Sequence, residues 1–545
     1  MRSSLSPLFK YAEFAVAGLL SVIAIGLHAI LYFNVGDPWR DEVSAIAVAS
    51  MPNLGAIWET SRHDSFPILY YALLHAWIAI FGETTTSIRA LGLGLGLGGL
   101  GSIWWLARRL GIGTPLLLLA MVAMSASVIR YGDAARAYGL ALIAAAFMLG
   151  TIWTLLSDYS KKNAALAAVA CIAAAHSTYQ NSLLLLAIGI AAILALTITR
   201  RWRNAVAVAV ICAATAASIT IYLPAINYVK SLADMIPWVI SAPDVFNAFG
   251  KTVSAGYGTW QQWVWLAFVL TGLTGGFAAL LIPERQTDSI QQDDAMARSL
   301  FVALVIPLLA IVFTIFMIRS NYAVRPWYLL GLMLVLAATV EAGIAALPAP
   351  PVAKQMGRLV AAIVIGVLAV INAPAELKRR ATNMPDLIAA IERSGGPNDL
   401  IILTEWYTGT TFNHLYRGSK KWMTIPDLGR HSVHRWDLVK DRMQGTSGVT
   451  REIEHITNTL LAGNRVFVIG NFVRIPPHMA QVQLPPAPHP QAGWNAATYT
   501  GFWAAQAGAT LSNYATQSSQ LQAPASAETM MIWENFPLTV YSRTR

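Results

Sequence analysis

Long apolar runs alternate with short polar connections from about residue 12 to residue 373, and the character of the chain then changes. Runs at 12–33, 87–107, 114–129, 138–156, 164–179, 182–199, 204–223, 263–282, 299–318, 327–346 and 358–373 read as helices crossing a hydrocarbon core, for which roughly 20 residues suffice. The pattern predicts about eleven crossings. Pro67 to Phe81 (PILYYALLHAWIAIF) is also apolar, but its tyrosines, Trp77 and His75 suit a helix lying along the interface with its polar tips in water. From Glu376 onward polar helices alternate with short apolar strands, Leu400 to Leu403 and Val466 to Ile469. A helix is predicted from Glu452 to Leu461, stopped by Gly463-Asn464, and a Pro-rich excursion from Pro476 to Pro490. The expected fold is a polytopic α-helical membrane domain over 1–375, whose first loop (34–86) carries interfacial helices, followed by a soluble α/β domain over 376–545.

Charge sets the expected orientation. Every second connection carries a basic cluster: Arg2 with Lys10, Arg108-Arg109, Lys161-Lys162, Arg200-Arg201 with Arg203, Arg285 with Arg298, and Lys354 with Arg358. The positive-inside rule puts these in the cytoplasm, and an odd number of crossings leaves the C-terminal domain outside. Counting Pro67 to Phe81 as a crossing would throw three consecutive clusters to the outer side, hence its interfacial assignment. The first run follows basic residues as a signal peptide would, but it is long, and no small-residue cleavage site precedes Asp37-Pro38-Trp39; it reads as a retained anchor.

Composition narrows the function. With 56% hydrophobic and 12% charged residues, most of the chain belongs in lipid. The net charge of +10 resides in the small clusters between spans rather than along one soluble face, which speaks against nucleic-acid binding. Cys171 and Cys212 lie in apolar runs and read as packing residues. The glycine run Gly92 to Gly101 lacks the ending of a phosphate loop; Gly92 with Gly96 and Gly94 with Gly98 have the spacing for close helix approach.

Two groups of polar residues carry candidate chemistry. The first outward loop contains Asp37-Pro38-Trp39-Arg40-Asp41-Glu42 and then Arg62-His63-Asp64-Ser65. Two readings stand for it: a wet loop with Arg40 and Arg62 as counter-ions, or a functional site, since carboxylates at a lipid boundary are costly unless solvated or paired. The second group is a set of arginines against the positive-inside pattern, Arg130, Arg136, Arg319 and Arg325. A guanidinium offers phosphate a planar fork of donors, so these point to an anionic lipid headgroup; snorkelling anchors are the alternative.

Taken in order, these features resemble the GT-C glycosyltransferases. They are an outward acidic pair, a second acidic site before the Pro-Ile-Leu-Tyr-Tyr helix ending in Phe81-Gly82, Arg89 opening the next span, Tyr131-Gly132-Asp133-Ala134-Ala135-Arg136-Ala137-Tyr138, and His176-Ser177-Thr178-Tyr179. Within that group the chain is similar to bacterial families 39 and 83, the protein O-mannosyltransferases and the aminoarabinose transferases of lipid A. The resemblance covers roughly residues 1–200 in motifs and the remainder in architecture only. It implies a multi-pass inner-membrane enzyme that moves a sugar from a polyprenyl phosphate donor to an acceptor outside the cytoplasm, with inversion at the anomeric carbon.

On that resemblance Asp41 is the expected catalytic base, taking the proton of an acceptor hydroxyl as it attacks. Glu42 either orients the acceptor or points away, because neighbours on a helix or strand do not share a face. Arg40, His63 and Asp64 join the substrate-binding set, with Asp64 as the family's second acidic site. Arg136 and Arg325 are expected at the leaving lipid phosphate, supported by Tyr131 and Tyr138, and His176 is placed near the outer end of its span. No cofactor is firmly implied; Asp64 and His63 offer two ligands for a divalent cation. Ser65 departs from the aminoarabinose transferases, which tend to have lysine there, and this weakens the case for their particular donor. Glu405-Trp406-Tyr407 and Trp422 read either as a sugar-stacking surface or as domain core. The sugar and the acceptor, whether glycan, lipid or protein, are not specified. A transporter or flippase of lipid-linked saccharides is the rival class, but no internal repeat or paired interrupted helices are visible in the sequence.

Overall fold

The computed structural model describes residues 7–64, 66–255, 258–282, 289–321, 323–472 and 483–544. Arg2, Ser65, Arg285 and residues 476–482 of the Pro-rich excursion lie outside the described residues. Contacts divide the chain into two units. The first comprises Met1–Asn34, Phe66–Leu223 and Trp238–Lys378; the second comprises Val35–Ser65, Pro224–Pro237 and Arg379–Arg545. Residues 35–65, assigned from sequence to the membrane domain, therefore group with the C-terminal residues, because Ala381 N–H donates to Val35 O at 2.8 Å and the helix Arg40–Ala49 packs on the helix Thr408–Leu415.

The first unit is a helical bundle. Among the described residues nine helices are long and apolar enough to cross a membrane: Phe9–Asn34, Thr85–Leu110, Tyr138–Leu155, Tyr179–Ile198, Trp202–Met235 (of which residues 202–223 belong to this unit), Trp260–Leu281, Gln292–Ser320, Pro326–Ala346 and Pro351–Leu377. Two predicted crossings differ. Residues 114–129 are not one helix but a short α-turn Leu116–Leu118, a π-helical stretch Leu119–Ala123, a break at Ser125, and the helix Ala126–Gly132. The helix Lys161–Ala175 has only 15 residues, about 22 Å at 1.5 Å per residue.

Packing shows that both segments still run from one end of the bundle to the other. The helices Thr85–Leu110 and Tyr138–Leu155 lie parallel: a Cβ on Gly139 would meet Leu95, one on Gly98 would meet Ile143, and one on Gly150 would meet Trp105. The broken segment between them must carry the chain back. Arg201 donates to Leu156 O at 3.0 Å and Arg298 to Ser157 Oγ at 2.9 Å, so the predicted basic connections meet at one end. At the opposite end His176 meets Ser218 and Tyr222.

Ile68–Phe81 does not run from end to end. Phe66, just before it, packs edge-on against Tyr138 at 5.2 Å, and Trp77 Nε1 donates to Ser87 O at 3.1 Å. Tyr138 and Ser87 begin two parallel helices, so both ends of this 14-residue helix touch the same end of the bundle.

The second unit holds a five-stranded sheet: β1 (Leu400–Leu403), β2 (Lys421–Thr424), β3 (Val466–Ile469), β4 (Gln517–Gln522) and β5 (Leu538–Ser542), in the order β2-β1-β3-β5-β4. The first three are mutually parallel and the last two antiparallel. Apolar residues of β1 go to both faces in alternation. Leu400 and Ile402 join Val439, Ile456 and Trp503 on one side; Ile401 and Leu403 join Leu387, Ile391 and Phe412 on the other. The predicted helix spans Thr450–Leu461 and ends as expected near Gly463, whose φ of +80° suits glycine.

The glycine run acts as predicted at one pair only. A Cβ on Gly92 would lie 2.0 Å from the Asp133 carbonyl oxygen, and one on Gly96 would lie 2.0 Å from Asp133 Oδ1 and 2.6 Å from the His28 ring, whereas Gly94 has nothing within 4 Å. Gly96→Ala is therefore expected to destabilise the bundle by about 1–3 kcal/mol through overpacking. Gly94→Ala should be neutral or gain up to about 1 kcal/mol of helix propensity. Thermal unfolding of the two variants in detergent checks this; equal melting temperatures would overturn the packing assignment.

Candidate active site

The acidic pair opens the helix Arg40–Ala49, and its two carboxylates have different fates. Glu42 is 1% exposed and caps its own helix, accepting from Trp39 N–H at 3.2 Å. That use satisfies one of the unpaired N–H groups at a helix start and gives Glu42 a structural job in place of the expected contact with substrate. The Asp41 side chain is 24% exposed and lies 3.5 Å from Arg40 Nε. Of the pair, Asp41 is the carboxylate that solvent reaches.

Arg40, expected to bind substrate, is built into the second unit. Its backbone N–H donates to Glu534 Oε1 at 3.0 Å, and its guanidinium lies 4.4 Å from the centre of the Tyr407 ring and 5.4 Å from that of Trp39. Trp39 stacks on Trp533 at 6.4 Å between ring centres. Glu534 also accepts from Thr411 Oγ1 at 2.8 Å. Burial pushes its carboxyl up to about 7, against the opposing charge of Arg40. Glu405 is likewise raised by burial and pulled back by Arg40. Trp406 is 5% exposed and belongs to the domain core, so of the proposed stacking residues Tyr407 faces Arg40 instead, while Trp422 packs on Phe412.

The second acidic site sits on a different part of this unit. His63 Nδ1 lies 2.9 Å from Tyr228 Oη and 3.9 Å from Asp437 Oδ1, and Arg435 holds Asp437 through two hydrogen bonds of 2.8 and 2.5 Å. Burial depresses His63 to about 4, with Asp437 opposing that fall. Burial alone would raise Asp437, yet its hydrogen-bonded Arg435 holds it below the ordinary range. Asp64, next in sequence to His63, is partly buried. Among the described residues no group of three or more His, Cys, Asp or Glu side chains is spaced to hold a metal ion.

The remaining candidates lie in the first unit. Arg136 is 7% exposed, with its guanidinium 4.4 Å from the centre of the Phe66 ring. Tyr138 packs on the same ring, and Tyr131 and Tyr138 both pack against Trp327, at 5.1 and 6.4 Å. Arg325, two residues before Trp327, lies 6.0 Å from the Trp238 ring. The structure thus brings Tyr131, Arg136 and Tyr138 into one aromatic cluster at the end of the bundle opposite the basic connections. His176 is placed differently: both ring nitrogens are engaged within the bundle, by Tyr222 Oη at 2.7 Å and Ser218 Oγ at 3.0 Å. Arg130 is also spent internally, on the backbone and carboxylate of Glu376.

Sequence reasoning missed Glu534 and Asp437, which stand hundreds of residues from the loop they hold and in no motif. It quoted Asp133 without a role; the structure pairs it with His28 at 2.7 Å.

Glu534 and His63 pull the pH dependence of the second unit in opposite directions. Glu534, raised from 4.5 to about 7, contributes stability that is complete below pH 4.5 and lost as pH rises through 7. Its full swing is about 3 kcal/mol. His63, lowered from 6.5 to about 4, contributes stability that is complete above pH 6.5 and lost as pH falls through 4. On going from pH 7 to pH 5, Glu534→Gln should therefore lose stability and His63→Gln should gain it, read as hydrogen-exchange protection of β1 and β3. The same slope in both variants would contradict the burial of these two groups.

No family model matches the chain, and no curated protein matches it in sequence. The solved structures similar to it include two of ArnT from Cupriavidus metallidurans. The one bound to undecaprenyl phosphate has 13% identity over 83% of this chain and 92% of that one, with a TM-score of 0.46. The apo form has the same identity and coverage, with a TM-score of 0.32.

Proposed function

We propose that the protein is a GT-C type glycosyltransferase of a bacterial inner membrane, which moves a sugar from a polyprenyl phosphate to an acceptor on the outer side. The N-terminus is then cytoplasmic, and the C-terminal domain lies outside. The observation that carries this reading is the buried Arg136 among Phe66, Tyr131, Tyr138 and Trp327, at the end of the bundle away from the basic connections. A buried cation at a membrane boundary is expensive, and functional by default. The Phe66 ring lies 4.4 Å from the Arg136 guanidinium and helps to hold it in place. In this reading Arg136 and Arg325 seat the lipid phosphate and stabilise the charge that develops on it as it leaves.

Asp41 acts as the base. It accepts the acceptor's hydroxyl proton while that oxygen attacks the anomeric carbon from the face opposite the phosphate, and the configuration inverts. Asp64 holds the donor sugar. The division of labour follows from accessibility: the Asp41 side chain is partly exposed, whereas Glu42 is buried and caps its own helix.

Asp41→Asn should lower transfer from a polyprenyl phosphate sugar by about 100-fold or more, the scale of a lost general base. The folded, membrane-inserted protein should remain intact by thermal unfolding. Retained transfer would remove the base assignment, and movement of intact lipid-linked sugar across vesicles without any transfer would replace the enzyme by a flippase.

Arg136→Ala should weaken binding of polyprenyl phosphate by roughly 10- to 100-fold, the equivalent of one charge-assisted hydrogen bond. Titration calorimetry in nanodiscs checks it; unchanged affinity would move the phosphate seat to another arginine.

A further inference from the structure

The sheet of the second unit has a feature that its own loop has taken over. The connection from β1 to β2 runs through Thr408–Leu415 on one face, and the connection from β2 to β3 runs through Trp436–Gln444 and Thr450–Leu461 on the other. After β3 the helix Ala496–Tyr514 packs on that second face through Tyr499, Trp503 and Leu511, so the neighbouring parallel strands β1 and β3 are followed by helices on opposite faces. Such a switch point opens a crevice at the carboxyl ends of the strands, where open α/β sheets take their ligands.

Here that crevice is lined by Thr404 to Tyr407 after β1, Gly470 after β3, and Glu534 just ahead of β5. Thr404 N–H donates to Ile469 O, and Gly470 N–H donates to Pro537 O, so these stretches are fixed to one another at the strand ends. The crevice holds Trp39 and Arg40. Glu534, fully buried, takes the Arg40 N–H; Tyr407 lies under the guanidinium; Trp533 stacks on Trp39. The next residue along is Asp41.

We propose that the C-terminal α/β domain serves as the seat of the helix Arg40–Ala49, its switch-point crevice taking that helix's first turn in place of a small ligand. Glu534 is then a positioning residue that sets where Asp41 stands. Its carboxylate joins Arg40 N–H to Thr411 Oγ1 of the helix that follows β1, so the start of Arg40–Ala49 is tied to the sheet rather than to its flanking loop. Arg40 is accordingly a structural anchor of the loop. The role of Asp41 in this inference rests on the proposed glycosyltransfer; the seat itself does not.

The test uses the full chain in nanodiscs, with hydrogen exchange and transfer from a polyprenyl phosphate sugar measured on the same preparations. Glu534→Ala should speed amide exchange in residues 43–49 at least tenfold while β1 and β3 keep their protection. It should also lower kcat tenfold or more with the donor KM within twofold of the parent. Glu534→Gln, which keeps an acceptor oxygen for the Arg40 N–H, should restore both. Should Glu534→Ala fail to fold, Tyr407→Leu carries the same test, with about threefold faster exchange expected. Unchanged exchange in 43–49, or a rise shared equally by β1 and β3, overturns the seat. Faster exchange confined to 43–49 with undiminished transfer upholds the seat and removes Asp41 from catalysis.

Discussion

The bundle depends on one buried carboxylate. Glu341, with no exposed surface, accepts from the backbone N–H groups of Leu117 and Leu118 at 3.2 and 3.1 Å, and Arg358 donates to it at 2.8 Å. In lipid no water is at hand for a broken helix, so each N–H left open by a break must find a partner inside the protein. Glu341 supplies one at the start of the interrupted segment. Arg358 offsets its charge and also donates to Thr114 O at 2.7 Å, just ahead of the turn. Removing either partner would strand a buried charge at a cost of about 3–5 kcal/mol. With the pair in place the chain can return through 116–132 in a bent, partly π-helical path, which is why the helices on either side of it run parallel. That return also delivers Arg130, Tyr131 and Arg136 to the end opposite the basic connections.

The same economy recurs in the second unit. Glu42 and Glu534 both spend carboxylate oxygens on backbone N–H groups around Trp39 and Arg40, as Glu341 does at Leu117. Buried carboxylates are tolerable only when so satisfied. This sorts the acidic residues of the chain by physics rather than by motif. Those with backbone to hold are fixed and enclosed, and Asp41, next in sequence to Glu42 and to the Arg40 that Glu534 holds, keeps 24% of its side chain exposed. The base proposed for glycosyl transfer would have to meet its substrate, and this accessibility is what favours Asp41 over its enclosed neighbours.

Much of this was legible in the sequence because it rests on periodicity and charge. Among the described residues nine helices long and apolar enough to cross a membrane follow the predicted runs, two fewer than the eleven expected, and Ile68–Phe81 is a separate 14-residue helix. Strands β1 and β3 were visible as apolar runs buried on both faces. Strand β4 was not, since Gln517–Gln522 is polar and exposed and owes its conformation to pairing with β5. Hydropathy could not show the break near Ser125, because it averages over side chains, nor the carboxylate that holds Leu117 from 224 residues away. Lys354 and Arg358 read as one topological marker, yet Lys354 donates to Ala345 O and Leu347 O at a helix end while Arg358 joins the Glu341 network. Long-range pairs such as Arg130 with Glu376 or Arg40 with Glu534 leave no local pattern at all.

Those pairs also decide among the four arginines that oppose the charge rule. Arg130 is spent on Glu376, whose carboxylate neutralises it in place. Arg319 is exposed at the end of a long apolar helix, the position of a side chain that snorkels to water. Arg136 and Arg325 lie against aromatic rings, Phe66 at 4.4 Å and Trp238 at 6.0 Å from ring centre to guanidinium. In the proposed reading a seat for a leaving lipid phosphate needs a cation held in place before the anion arrives, and the ring beside each of Arg136 and Arg325 helps to hold it there.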